Sequence, residues 1–126
     1  MKKTLLIISI ILMALLSACT QQVGWVGLDY LNTIDASYQF YNGKKVERIP
    51  VNAGETLNLI YEVEVNEGAL RLDLLDPDRN LVWEASFLED GEDEMSFRAE
   101  MSGRYTLRIT GDQTKGGFEL RWETND

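Results

Sequence analysis

The sequence predicts an all-β protein: an antiparallel β-sandwich of seven or eight strands, jelly-roll-like or immunoglobulin-like, after an N-terminal signal helix. Apolar and polar residues alternate with period two through most of residues 37–126, which is typical of strands with one buried and one solvated face. Turn signals recur about every 8–12 residues, as they do in sandwiches of short strands. No window of useful length after Cys19 shows the 3.6-residue apolar repeat of a helix.

The clearest strand runs from Leu57 to Val65, where every second residue is apolar and faces inward. Similar runs predict strands at 38–41, 44–51, 70–75, 81–88, 93–99, 105–110 and 118–122. Burying one large apolar side chain contributes about 1.5–3 kcal/mol. The inward positions therefore predict one domain with an adequate core and no disulfide.

Seven segments predict turns or loops between these strands, among them 52–54, the acidic 89–92 and 102–103. Asn42-Gly43 predicts a type I′ hairpin, because both central residues of that turn need positive φ. Asp76-Pro77-Asp78-Arg79 predicts a type I turn, since proline fixes φ at its second position. The segments 66–68 and 111–116 are predicted as turns from their glycines.

The domain prediction is a signal peptide at 1–18, a lipidated N-terminus with spacer or arm at 19–36, and a β-sandwich at 37–126. Lys2 and Lys3 precede an apolar run, the order found in secretory signals. That run is shorter than the roughly 20 apolar residues of a spanning helix, which favours cleavage. Residues 24–31 are too apolar for a flexible tether and predict a strand or an arm lying on the domain.

Leu16-Ser17-Ala18-Cys19 resembles the lipobox of bacterial lipoproteins. The resemblance implies that the chain is cut just before Cys19 and that a diacylglycerol on its thiol holds the protein in the membrane. The implied location is the extracytoplasmic side of the cell membrane, or the outer membrane in a two-membrane cell, because Thr20 rather than Asp follows the cysteine. An ordinary secreted protein with a stray thiol is the alternative.

The charge balance excludes several partners. The chain has 12 basic and 21 acidic residues, and losing Lys2 and Lys3 would take its formal net charge from −9 to −11. Phosphate backbones and anionic headgroups repel such a domain, so we expect no nucleic acid and no basic membrane-binding face.

Composition also argues against catalysis. The chain has no His, and Cys19 is its sole Cys, so the commonest general base and the thiol nucleophile are missing from the mature domain. We expect no enzyme activity and no cofactor. A hydrolase using a carboxylate pair such as Asp73 and Asp76 is the alternative.

Three aromatic residues are candidates for exposed contact with a glycan or an envelope protein. Trp25 and Tyr30 lie in the arm, and Tyr41 lies on the outward phase of its strand. Trp83 and Trp122 lie on inward phases and predict core positions. An arm that merely covers a sheet edge is an equally good interpretation of the first two.

We expect no metal site, with calcium as the alternative. The acidic residues that could supply ligands are Asp76, Asp78, Glu89, Asp90 and Glu92. The segment 76–80 begins like an EF-hand loop but places Leu81 and Phe87 where that loop needs Gly and Glu. Solvated turns whose charges discourage pairing with other chains are the favoured interpretation.

The last 70 residues resemble two β-sandwich types, the bacterial pre-peptidase C-terminal domain and the GOLD domain. The segments that carry the resemblance are AGETLNL (53–59), GALRLDLLDP (68–77), FRAEMSGRYTLRI (97–109) and GGFELRW (116–122). It implies a non-catalytic sandwich used for binding or as an accessory domain. The predicted function is a membrane-anchored binding module for an envelope protein, a peptide or a glycan, with a passive accessory lipoprotein as the alternative.

Overall fold

The computed structural model describes residues 21–126, which form seven antiparallel β-strands and no helix. The strands are β1 (Gln21–Val23), β2 (Val26–Tyr30), β3 (Thr33–Val51), β4 (Thr56–Leu75), β5 (Leu81–Phe87), β6 (Gly91–Arg98) and β7 (Gly103–Asn125). The predicted all-β antiparallel sandwich is confirmed. The predicted signal peptide at 1–18 and the proposed lipid site Cys19 lie outside the described residues.

Three long strands, β3, β4 and β7, bend and contribute to both layers of the sandwich. Residues 33–38, 56–65 and 114–125 of these strands join β2 and β6 in a front sheet of order β2–β3–β7–β4–β6. Residues 43–51, 69–75 and 103–111 join β5 in a back sheet of order β3–β7–β4–β5. β1 pairs with β3 at residues 40–42, beside the bend.

Each long strand changes the side that it buries where it bends. In β4 the buried apolar positions are odd-numbered up to Val65 and even-numbered from Leu70 to Leu74, and the pairing with β7 shifts between these segments. An extra residue of this kind bends a strand. Gly68 permits the bend, because its φ is +74° and a Cβ there would collide with the Gln113 carbonyl oxygen.

The core lies between the inner faces of the two sheets. Tyr61 of the front sheet packs on Trp83 of the back sheet with ring centroids 5.7 Å apart. At one lateral edge, Asp29 of β2 and Lys45 of β3 form an ion pair at 2.9 Å. Trp122 is buried as predicted, whereas Trp83 is half-buried, because β5 is an edge strand.

Three of the seven predicted turns are wrong, while those near 52–54, 89–92 and 102–103 connect successive strands as predicted. The Asn42-Gly43 hairpin does not form, because both halves of β3 pair with β7 and not with each other. The segments 66–68 and 111–116 likewise lie within β4 and β7, where those strands bend. The turn at Asp76 is confirmed by a hydrogen bond from the Arg79 N–H to the Asp76 carbonyl at 2.9 Å.

The predicted arm is part of the sandwich. Residues 26–30 form β2, as expected for the 24–31 segment, and pair with residues 33–37. β3 begins at Thr33, so regular structure starts before the predicted domain boundary at 37. Within residues 21–126, no helix has the length and apolarity needed to cross a bilayer.

Candidate binding face

An exposed apolar strip, formed by Val26, Leu28 and Tyr30, lies on the outer face of the front sheet. These three side chains of β2 are 71%, 63% and 65% exposed. Among the described residues β2 pairs only with β3, so one side of its backbone is free. A free strand edge with exposed apolar side chains is a place where another chain can pair.

A row of four carboxylates crosses the same face beside this strip. Asp35 lies opposite Leu28 on one side and Glu119 on the other. Glu62 lies opposite Glu119 and also opposite Glu92. Since directly opposed residues point to the same face and strands lie about 4.8 Å apart, this acidic row is continuous over about 14 Å.

No ion pair within residues 21–126 neutralises the acidic row. The four ion pairs formed by the described residues involve other carboxylates. Arg121 lies in the next row of opposed residues on this face, where it pairs with Ile60. It lines an open hollow of about 410 Å³ together with Ile60, Glu62 and Glu94. Like charges placed directly opposite each other destabilise a sheet, so the row lowers the stability of the fold.

The outer face of the back sheet carries mainly basic side chains, in contrast to the acidic row. Lys44, Arg48, Arg71 and Arg108 share this face, as their pairing partners show. Asp73 lies at its centre and is fully buried beneath two of the arginines. The two outer faces of the sandwich therefore differ in sign, and the acidic field is concentrated on the front sheet.

Trp25 and Tyr41, two of the predicted contact residues, belong instead to an aromatic cluster with Tyr38 and Phe118. The Trp25 ring is stacked on Tyr38 at 5.5 Å and meets Tyr41 at 5.2 Å and Phe118 at 6.1 Å. The expected exposure of Tyr41 is wrong, since its exposed fraction is 0%. The register shift before Tyr41 turns its side chain inward, and Trp25 is half-buried.

The tyrosine hydroxyls of this aromatic cluster are buried. The Tyr41 hydroxyl donates a hydrogen bond of 3.1 Å to the Ile109 carbonyl. The Tyr38 hydroxyl lies near the buried Thr114 hydroxyl, which partly opposes the rise of its pKa, and neither hydroxyl has another partner in the described part of the chain. Burial raises the pKa of Tyr38 and of Tyr41 to about 12, because the apolar surroundings disfavour the charged phenolate.

The carboxylate pair considered for catalysis, Asp73 and Asp76, is occupied by structural hydrogen bonds. Arg71 and Arg108 donate to the Asp73 carboxylate at 2.8 and 2.9 Å. Burial alone would raise the pKa of Asp73, but these two arginines outweigh it and hold the pKa below its ordinary value. The Asp76 carboxylate accepts bonds from the backbone N–H groups of Asp78 and Asn80, both at 2.9 Å.

The residues of the calcium alternative do not converge. Asp76 and Asp78 lie in the turn after β4, whereas Glu89, Asp90 and Glu92 lie at the other end of β5. The Asp90 carboxylate accepts a 2.9 Å hydrogen bond from the Val65 N–H. Among residues 21–126, no group of three His, Cys, Asp or Glu side chains is placed to hold a metal ion.

Of the predicted contact residues, Tyr30 alone is strongly exposed, and sequence reasoning missed Val26, Leu28 and the acidic row. The alternation indicated that Glu62 and Glu119 face outward, but their alignment depends on strand order and register. Strand order follows from tertiary pairing between distant segments. The available sequence signal is the apolar character of the arm, which suits a contact surface and the cover of a sheet edge equally well.

No family model and no curated protein matches the chain. Among solved structures it is similar to the periplasmic lysozyme inhibitor PliG of Aeromonas hydrophila, at 11% identity over 76% of this chain and 93% of that one, with a TM-score of 0.49. It is also similar to TmCBM61 in complex with β-1,4-galactotriose, at 14% identity over 80% and 69% of the chains, TM-score 0.46. A third is the carbohydrate-binding module CBM6cm-2 of Cellvibrio mixtus lichenase 5A in complex with cellotriose, at 14% identity over 84% and 89%, TM-score 0.45.

Proposed function

We propose that this chain is a non-catalytic, lipid-anchored binding module that uses the outer face of its front sheet to bind a basic protein or peptide of the cell envelope. The anchor is an acylated Cys19 on the extracytoplasmic side of the membrane. The observation that carries the proposal is the contiguity of the apolar strip and the acidic row on one exposed face.

The acidic row supports a binding role because it weakens the fold that contains it. Three successive cross-strand pairs of carboxylates repel one another, from Asp35 to Glu92. A positively charged partner would relieve this repulsion and would be steered toward the face during encounter. Salt screens interactions between exposed charges over about 10 Å at 0.1 M, so binding should weaken as salt rises.

The chemistry of the face favours a polypeptide over a glycan. Of the three aromatic candidates, Tyr30 offers a largely exposed ring, while Trp25 and Tyr41 are packed in the aromatic cluster. An extended basic peptide suits this face. Its backbone pairs with the free edge of β2, its apolar side chains lie beside Leu28, and its Lys and Arg side chains reach Asp35, the end of the acidic row nearest to that edge.

Three observations support the non-catalytic part of the proposal. The chain contains no His, and its sole Cys is the proposed acylation site. The carboxylates of Asp73 and Asp76 are engaged by arginines and by backbone N–H groups. A general acid or base needs a free site for the proton that it transfers.

Site-specific photo-crosslinking in cells tests the binding face. A photoreactive residue at Leu28 is compared with one at Val46, which is also apolar and exposed but lies on the back sheet. We expect protease-sensitive adducts at Leu28, few at Val46, and their loss in the Glu62→Gln/Glu119→Gln variant. Equal adducts at both positions, or none at Leu28, would contradict the proposal, and protease-resistant, glycosidase-sensitive adducts would indicate a glycan instead.

A further inference from the structure

The chain enters and leaves the sandwich at opposite ends. Gln21, the first residue of β1, pairs with Asn42 at the bend of β3. The bends of β4 and β7 lie at the same end, which we call the bend end, because residue 67 pairs with Lys115. Asn125 pairs with Thr56 at the other end, which we call the open end.

The proposed lipid site precedes the bend end by two positions in the sequence. One residue, Thr20, separates Cys19 from Gln21, and two residue steps span at most about 7 Å. The front-sheet half of β4 extends nine residue steps from Val65 to Thr56, which is about 30 Å at 3.3 Å per residue. The connection to the lipid is thus far shorter than the sandwich is tall.

We propose that the bend end faces the lipid headgroups and that the open end points away from the bilayer. This inference rests on the proposed acylation of Cys19. Residues 21–23 form β1 on the body of the sandwich, so Thr20 alone separates Cys19 from that strand in the sequence. The lipid therefore keeps the bend end near the headgroups and excludes an orientation in which the open end faces the bilayer.

Fraying of β1 does not remove this restriction. β1 has three exposed residues and pairs only with β3 in the described part of the chain, so it is the weakest strand. The next fixed point is Trp25, which the aromatic cluster holds in place. Cys19 and Trp25 are six residue steps apart, about 21 Å when fully extended, which is still less than the height of the sandwich.

The bend end is mainly polar, and the loop between β5 and β6, which reaches Val65 through Asp90, adds the exposed Leu88. Asn42, Asn66 and Gln113 lie at the three bends, and Lys115 is paired with Glu67 at 2.9 Å. In this orientation the strands stand upright on the membrane. Both outer faces are then perpendicular to the bilayer, and a partner can reach the acidic row from the side.

Fluorescence quenching in vesicles tests the orientation. The full acylated protein carries one added cysteine with a fluorophore, either Asn66→Cys at the bend end or Ala53→Cys at the open end, in vesicles with nitroxide-labelled headgroups. Both positions are exposed. We expect several-fold stronger quenching at 66 than at 53. A Gly/Ser spacer of about 20 residues between Thr20 and Gln21 should abolish most of that difference.

The outcomes separate the orientation from the anchor. Vesicle flotation with equal quenching at both positions, or with stronger quenching at 53, would overturn the orientation and leave the anchor intact. Failure of the protein to float with vesicles, with an unmodified Cys19 in its mass spectrum, would overturn the anchor and this inference together.

Discussion

Replacing Trp25 by Ala should release the arm that carries the binding face. Trp25 contacts three buried rings at centroid distances of 5.2 to 6.1 Å, and aromatic pairs contribute about 0.5–1.5 kcal/mol each beyond their buried area. Because Trp25 is only half-buried, we expect Trp25→Ala to lower the free energy of unfolding by about 2–3 kcal/mol. Trp25→Phe, which keeps a ring in the aromatic cluster, should lose less than half of this.

Urea unfolding and hydrogen exchange measure the two parts of this prediction. The amides of residues 21–30 should exchange faster in Trp25→Ala, while those of the central strands β4 and β7 follow the global stability. Gly27→Ala should act in the same direction, because its Cβ would lie 2.6 Å from the Trp25 ring nitrogen. A loss below about 0.5 kcal/mol with unchanged exchange at 21–30 would refute the role of Trp25 as the fixed point of the arm.

Three further perturbations test the core and its charges. Because burial raises the pKa of Tyr38 and Tyr41 from 10.0 to about 12, the unfolded state loses these protons first. Stability should therefore fall from about pH 10 to 12, and Tyr38→Phe/Tyr41→Phe should flatten this decline in urea titrations, an unchanged decline being the contrary result. The pKa of Asp73 is held below 3.8, so its ionised carboxylate stabilises the folded state. This stabilisation should be lost as pH falls below about 4, and the Asp73→Asn variant should not show that loss in acid unfolding. Gly111→Ala places a Cβ against the Tyr41 ring and should lower the free energy of unfolding by about 1–3 kcal/mol. An unchanged midpoint in thermal or urea unfolding would contradict this prediction.

The strands and most of the core could be predicted because period-two alternation is a local property of the chain. Leu57 to Val65 and the run that ends at Trp122 are buried on the predicted face. The bends could not be predicted, because Asn-Gly suits a tight hairpin and a bend within one strand equally well. The choice between them depends on whether the two halves of β3 pair with each other or with β7.

The candidate site was less predictable than the fold. Tyr41 was misplaced because a single register shift reverses the side of every residue that follows it. The acidic row depends on three strand pairings between residues far apart in sequence, as between Glu62 and Glu119. Outward carboxylates could be recognised one by one, but their alignment with Leu28 is a property of the folded sheet.

Mass spectrometry of the N-terminal peptide from membrane-extracted protein tests the anchored binding module most directly. We predict a mature chain that begins at Cys19 and carries a diacylglyceryl group on its sulfur, and a Cys19→Ser variant that is neither acylated nor cut at this position. A wild-type chain with a free thiol at Cys19, or one cut elsewhere and recovered without lipid, would contradict the account.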